Sequence, residues 1–379
     1  MTLISPENSL ALFGVFLAIA ALAAYVESTP FGRRLSAPVL ILAMAMAAAH
    51  FSLIPRQAPA YNIIWTYLVP LAIALFLLKG DLVSIFRTGG RVLAGFVVGM
   101  AGAAGGAVLA ALLLDLGTFE AHLAAVFAAT YTGGSLNFAA VAQAVEFREP
   151  SQLSAALAID NVLGTAYIVA FTFLAGWRFF ANRFPGRPDE ADRHAEVAAD
   201  QPGRPADVLH LAAALGLAAL ICLAGEWAAL RAGIETYSIM FITIFAVAIA
   251  TLFRKFTVHL RGEEAVAMLF MYLFFAMIGA GADVSAMLGA AWQIFFLVAS
   301  IFVVHIAVLL AAARLLRLSH AEIVVISLAC IAGPPIAAAV AILFGWRHLV
   351  LPGIMTGIFG YIAGTFIGIA IYELMTVAR

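Results

Sequence analysis

The chain has 379 residues, 65% of them hydrophobic and only 11% charged, with a mean hydropathy of +1.07. That composition describes a multi-pass membrane protein, and a formal net charge of −1 excludes the strongly basic surface of a nucleic-acid binder. Cys222 and Cys330 lie inside apolar runs as small buried side chains, and no HExxH, CxxC, GxSxG or Walker-type sequence occurs, so no disulfide, no cofactor beyond a sodium ion and no enzyme activity is expected.

Segments long enough to span a bilayer fall near 9–26, 36–54, 61–78, 89–114, 120–147 and 151–180, and again near 208–231, 236–253, 264–282, 288–316, 321–346 and 349–375. The first has no basic residue before it and no small-residue cleavage site after it, so it reads as a retained helix. Small residues crowd 95–111, including Gly95-x-x-x-Gly99 and Gly102-x-x-x-Gly106, which predicts close helix approach or a dimer-forming face. The fifth segment is interrupted by Thr132-Gly133-Gly134-Ser135-Leu136-Asn137, and the sixth carries Asp160-Asn161 and then Gly164-Thr165. A hydrophilic linker rich in Pro, Arg, Asp and Glu covers 181–207. In the second set the break is Ala332-Gly333-Pro334-Pro335-Ile336-Ala337, followed by Gly364-Thr365. Glycine and proline free backbone groups that lipid cannot satisfy, so such breaks survive only where they are buried or line a cavity. Matched breaks in two halves point to a transporter binding site.

The duplication extends further, with Ser36 matching Ser238 and Asp81 matching Asp283 at nearly the same spacing as the breaks. This sets a first repeat over 1–180 and a second over 208–379. Basic residues follow the first, third and fifth segments of the first half (Arg33, Arg34; Lys79, Arg87, Arg91; Arg148). In the second half they follow the second and fourth (Arg254, Lys255, Arg261; Arg314, Arg317). The positive-inside rule then makes the halves inverted. Six full crossings per half would instead leave them parallel, so either a segment between about 177 and 235 is not a crossing or a break segment is re-entrant.

Asp160 sits at mid-segment, where a carboxylate costs about 2.5 to 3.5 kcal/mol on insertion scales and is therefore paired, hydrated or functional. Hard cations favour carboxylate, amide and hydroxyl oxygens. Asp160, Asn161, Asn137, Ser135 and Thr165 are thus the expected cation ligands, with Asp160 and Asn161 central if the ion is sodium. Thr132, Gly133 and Gly134 would contribute hydroxyl and freed carbonyls, and the helix start beyond the break favours an anion. The competing reading has Asp160 bonding only the exposed backbone of a broken helix, and Asn137 and Asn161 serving packing. Gly333, Pro334 and Pro335 offer backbone and space, and Gly360 stands where Asp160 has its match; Thr356, Tyr361 and Thr365 are the polar residues nearby. His305 is expected to bond a neighbouring helix more than to relay protons, and Asp81 and Asp283 to cap helices.

The strings GGSLNFAAVAQAVEF, SAALAIDNVLGTAY, YLFFAMIGAGADV and IAGPPIAAAVAILFGWRHLVLPGIMTGIFGYIAGTFIG resemble the membrane family known as domain of unknown function 819 over most of the chain. That family is distantly similar to bile-acid:sodium symporters, glutamate:sodium symporters and sodium–proton antiporters. The resemblance implies an all-α polytopic protein of 10 to 12 transmembrane helices. Its plan is two inverted five-helix units with two broken helices crossing at mid-membrane. A core (89–180 and 288–375) would move against a dimerisation panel (36–78 and 236–282). In the antiporters the helix after the first broken one carries ion-binding acidic or Asn-Asp residues, and Asp160-Asn161 would take that place in reversed order. The expected function is sodium- or proton-coupled uptake of a small organic anion by an elevator mechanism, in a homodimer of the bacterial inner membrane. A sodium–proton antiporter without organic substrate is the alternative, and a receptor using a transporter fold the third.

Overall fold

The computed structural model describes residues 2–29, 36–184 and 207–377. Arg33, Arg34 and most of the hydrophilic linker lie outside the described residues. Continuous apolar runs fold as helices, because in lipid a helix satisfies its own backbone. The first half holds α1 (Ser9–Ser28), α2 (Ala37–His50), α3 (Pro59–Leu77), α4 (Leu82–Leu113), α5 (Glu120–Thr130), α6 (Leu136–Ala144) and α7 (Pro150–Gly176). The second holds α8 (Val208–Ala232), α9 (Ser238–Leu252), α10 (Glu263–Gly281), α11 (Val284–Leu316), α12 (His320–Ile331), α13 (Pro334–Leu343) and α14 (Arg347–Val377). Each helix of the first half has its counterpart seven places later. No strand occurs among the described residues.

Polar residues mark the helix starts. Asp81 accepts from the Val83 N–H to cap α4, and Asp283 accepts from Ser285 and Ala286 to cap α11. Ser319 and Glu322 form a reciprocal capping box on α12. These aspartates bear out end-capping as the role expected for them.

Side-chain pairs between loops define two faces. On one, Lys79 bonds the carbonyls of Thr257, Val258 and Leu260 and pairs with Glu263, Arg254 pairs with Asp81, and Arg91 pairs with Glu322. On the other, Arg56 pairs with Asp283, whose backbone N–H donates to Ser151, and Tyr237 bonds Glu373. The first is the basic face.

The break segments do not cross. The ring of Phe119, before α5, lies 5.6 Å from that of Phe147, after α6, and His320 at the start of α12 lies 5.3 Å from Trp346, after α13. Ends that meet belong to hairpins. Arms of 11, 9, 12 and 10 residues are also too short to traverse about 30 Å of hydrocarbon at 1.5 Å per residue. Hairpin α5–α6 enters from the opposite face and α12–α13 from the basic face. This corrects the expected crossing of broken helices and moves Arg148 to the opposite face, away from Lys79 and Arg91. It also removes the parity conflict. Nine long apolar helices and the shorter Ala37–His50 make ten passes among the described residues, five per half, so the halves run in opposite senses.

The small-residue stripe of α4 packs on its counterpart α11, where a Cβ at Gly106 would stand 3.0 Å from the Ile301 Cα. His305 is wholly buried in this contact; its Nδ1 faces the Gly99 carbonyl at 2.8 Å and its Nε2 the Ser327 hydroxyl at 3.0 Å. A carbonyl only accepts, so Nδ1 carries the proton, Ser327 donates to Nε2, and Tyr167 in turn donates to Ser327 at 2.6 Å. His305 thus ties α4, α11, α12 and α7 together.

Candidate functional site

The two hairpin tips meet inside the protein. A Cβ on Gly134 would stand 3.3 Å from the Gly333 Cα, and both glycines hold positive φ, +120° and +85°. Only glycine takes these turns without strain.

The first tip is locked onto α14. Asn137, fully buried, donates to the Ala129 carbonyl at 3.1 Å and the Gly360 carbonyl at 2.9 Å, and accepts from Thr365 at 3.4 Å. Thr132 donates to Ala129 as well. These bonds satisfy carbonyls that the end of α5 leaves exposed. A Cβ at Gly360 would come within 2.6 Å of the Gly133 Cα, so α14 and the tip touch backbone to backbone.

The second tip faces open space. A cavity of about 660 Å³ is lined from the core by Ser135, Leu136, Asp160, Asn161, Pro334 and Tyr361, with Ala332 and Pro335 beside them. The far wall comes from Phe76 of α3 and from Glu264, Met268, Met271 and Phe275 along α10. Lys79 and Glu264 stand at the basic-face end. The helix starts of α6 and α13 both border this space, and helix starts carry partial positive charge.

The expected ligands therefore divide. Asp160, Ser135 and Asn161 come together at the cavity, with Pro334 and Pro335 opposite. The Asn161 amide is already engaged, accepting from Ser36 of α2 at 2.7 Å and donating to the Leu157 carbonyl at 2.8 Å. Asn137 and Thr132 are buried in the tip's own hydrogen bonds, and Thr165 is exposed elsewhere on α7.

Four contributors escaped the sequence reading. Tyr131, closing α5, is fully buried against Phe302 and turns its hydroxyl toward the Asp160 carboxyl without closing a hydrogen bond of normal geometry. Its place directly before the break was the available signal. Ser36 had served only as a repeat marker, and Lys79 and Glu264 read as loop charges.

Toward the opposite face the same interface is shut. Gln143 of α6 donates to the Trp65 carbonyl at 2.9 Å, and the Arg148 guanidinium lies 5.2 Å over the Trp65 ring. Trp65 belongs to a π turn, Ile64–Leu68, shortly before Pro70. The Trp65 Nε1 and the Gln143 Oε1 are buried without partners.

A family model described as "Protein of unknown function (DUF819)" matches residues 14–377. The chain belongs to this family. It is also 29% identical over 385 residues to the "Uncharacterized membrane protein YjcL" of Bacillus subtilis (strain 168), with 97% of each chain covered. The family match takes in both hairpins and every residue of the cavity.

Proposed function

We propose that this family member is a secondary active transporter, which couples uptake of a small organic anion to sodium or protons by an elevator-type movement of a core against a panel. The observation carrying this is one arrangement: two hairpins from opposite faces meet at the inner end of a cavity of about 660 Å³ that contains Asp160 and lies between two groups of helices. Helices α4 to α7 and α11 to α14 form the moving core in this reading, and α1 to α3 with α8 to α10 the panel through which two copies dimerise.

The chemistry supports coupling. Asp160 has no basic side chain on its own wall of the cavity, so a cation there removes its charge and lets an anion approach the helix starts at Ser135 and Pro334. Asp160, Ser135 and the freed tip carbonyls would hold a sodium ion; with a proton, Asp160 and Tyr131 suffice. The volume favours an organic cargo over exchange of bare ions. Among the described residues, Lys79, Arg91, Arg254, Lys255, Arg314 and Arg317 gather on the basic face, which the positive-inside rule places in the cytoplasm of a bacterial inner membrane. The cavity then opens inward, and Gln143, Trp65 and Arg148 close the outer side. The protein does this without catalysis.

Proteoliposomes with an imposed sodium or pH gradient test the proposal. The wild type is expected to accumulate a labelled short-chain carboxylate, and Asp160→Asn to lose gradient-driven accumulation while remaining folded. Retained coupling in that variant would overturn the assignment of Asp160.

A further inference from the structure

The walls of the cavity say more about the cargo than its charge. Glu264, Met268, Met271 and Phe275 form one continuous stripe of α10, at the spacing that puts every third or fourth residue on the same side. Ile354, Ile358 and Tyr361 form the facing stripe on α14. From Glu264 to Phe275 the slot runs about 16 Å at 1.5 Å per residue. Its inner end is polar, with Ser135, Asp160 and the Tyr361 hydroxyl at the hairpin tips. Its middle is methionine, isoleucine and phenylalanine.

The outer end supplies no second binding pole for an anion. Lys79 is the cationic side chain on the lining, and its ammonium is committed to the carbonyls of Leu260, Thr257 and Val258 at 3.0, 3.3 and 3.4 Å and to Glu263 at 3.1 Å. An ammonium has three protons to give, so four acceptors exhaust it. Glu264, its neighbour on the lining, repels a carboxylate.

We infer that the cargo is an amphipathic monoanion, a single carboxylate on an apolar chain or ring, and not a di- or tricarboxylate. The carboxylate sits at the hairpin tips with the coupling cation, and the tail lies between the stripes of α10 and α14. Burying each methylene of such a tail is favourable by about 0.8 kcal/mol, whereas a second carboxylate in the slot loses its hydration with nothing to pair it. The two methionines adapt their shape, so the tail is recognised by length and apolarity more than by outline. This rests on the transporter reading for the sign of the charge.

The test is a thermal-stability titration of the purified full chain in sodium-containing buffer with butyrate, hexanoate, octanoate, suberate, citrate and octylamine. Stabilisation is expected to rise from butyrate to octanoate, by up to about fourfold in affinity per methylene. Suberate, which has the length of octanoate and a second carboxylate, is expected to lose it, as are citrate and octylamine. Met271→Asn is expected to flatten the chain-length dependence while leaving the butyrate response in place. Suberate or citrate binding as well as octanoate would overturn the inference, as would a response flat with length, preference for octylamine, or no binding by any acid. So would a rise with length that Met271→Asn leaves intact, because that reports partition into the micelle. Counterflow of the same acids separates the two readings: binding without counterflow defeats transport alone, and counterflow of citrate but not octanoate defeats the monoanion alone.

Discussion

The hairpin α5–α6 and the hairpin α12–α13 descend from one pattern and meet different seats. The tip of α5–α6 presses onto α14, where Gly360 lets backbone touch backbone and Asn137 bonds three neighbours. The tip of α12–α13 is turned toward α7, whose matching residue is Asp160, and there a cavity stands between them. A duplicated element has thus become a fixed wedge in one copy and one wall of a chamber in the other. Rigidity and access are separated between two halves of the same design.

The difference is most sharply broken at Gly360. Gly360→Ala puts a methyl against the backbone of Thr132 and Gly133, which has no room to move, and is expected to destabilise the protein by about 3 kcal/mol. On the other side of the comparison, no atom would lie within 4 Å of a Cβ at Gly164. Gly164→Ala is expected to change stability by less than about 0.5 kcal/mol. Chemical denaturation in micelles reads both, and equal losses would show that the two seats are alike.

Next comes the paired amide test. Asn137→Ala strands two buried carbonyls and is expected to cost about 2 kcal/mol, while Asn161→Ala loses its bond to Ser36 at the edge of the cavity and is expected to cost under about 1 kcal/mol. A reversal would make Asn161 the structural residue and Asn137 the ligand.

A smaller effect is expected at the shut side. Removing one hydrogen bond in a bilayer protein costs about 0.6 kcal/mol, so Gln143→Leu is expected to raise the open population on that side by about threefold. Labelling of a cysteine introduced at Leu136 by a membrane-impermeant thiol reagent would measure it. No increase would mean that Gln143 does not hold the interface closed.

The smallest effect concerns Asp283, exposed at the start of α11, whose carboxyl is held below the usual carboxylate range by the Ala286 N–H and then by Arg56. A depressed folded-state value gives stability that is present above the unfolded value and lost as pH falls through the folded one. Asp283→Asn is therefore expected to lessen the acid sensitivity of thermal stability only below the normal carboxylate range. An effect at neutral pH would contradict this.

Much of this architecture could be read from the chain. Hydropathy marked the helices, the common spacing of Asp81 and Asp283 marked the duplication, and the break before Asp160 marked the cavity. Re-entry could not be read from hydropathy, because both arms of each hairpin are as apolar as a spanning helix while being buried in protein instead of lipid. Arm length and the odd count that inversion demands were the usable clues. The site was legible where chemistry is local, at Asp160 and Ser135. It was not where the fold decides, as when Asn137 turns to Gly360 more than two hundred residues away, or when Ser36 meets Asn161.

The π turn of α3 sets a phase. One extra residue in a helix rotates everything after it by about 100°. Trp65 lies within that turn and seals one side, and Phe76 and Lys79 lie beyond it and line the chamber. A single helix serves both duties only because this slip aligns its two ends separately. Deleting one residue from Ile64–Leu68 would leave every side chain beyond the turn present and swing Phe76 and Lys79 off the chamber wall, turning a question of composition into one of register.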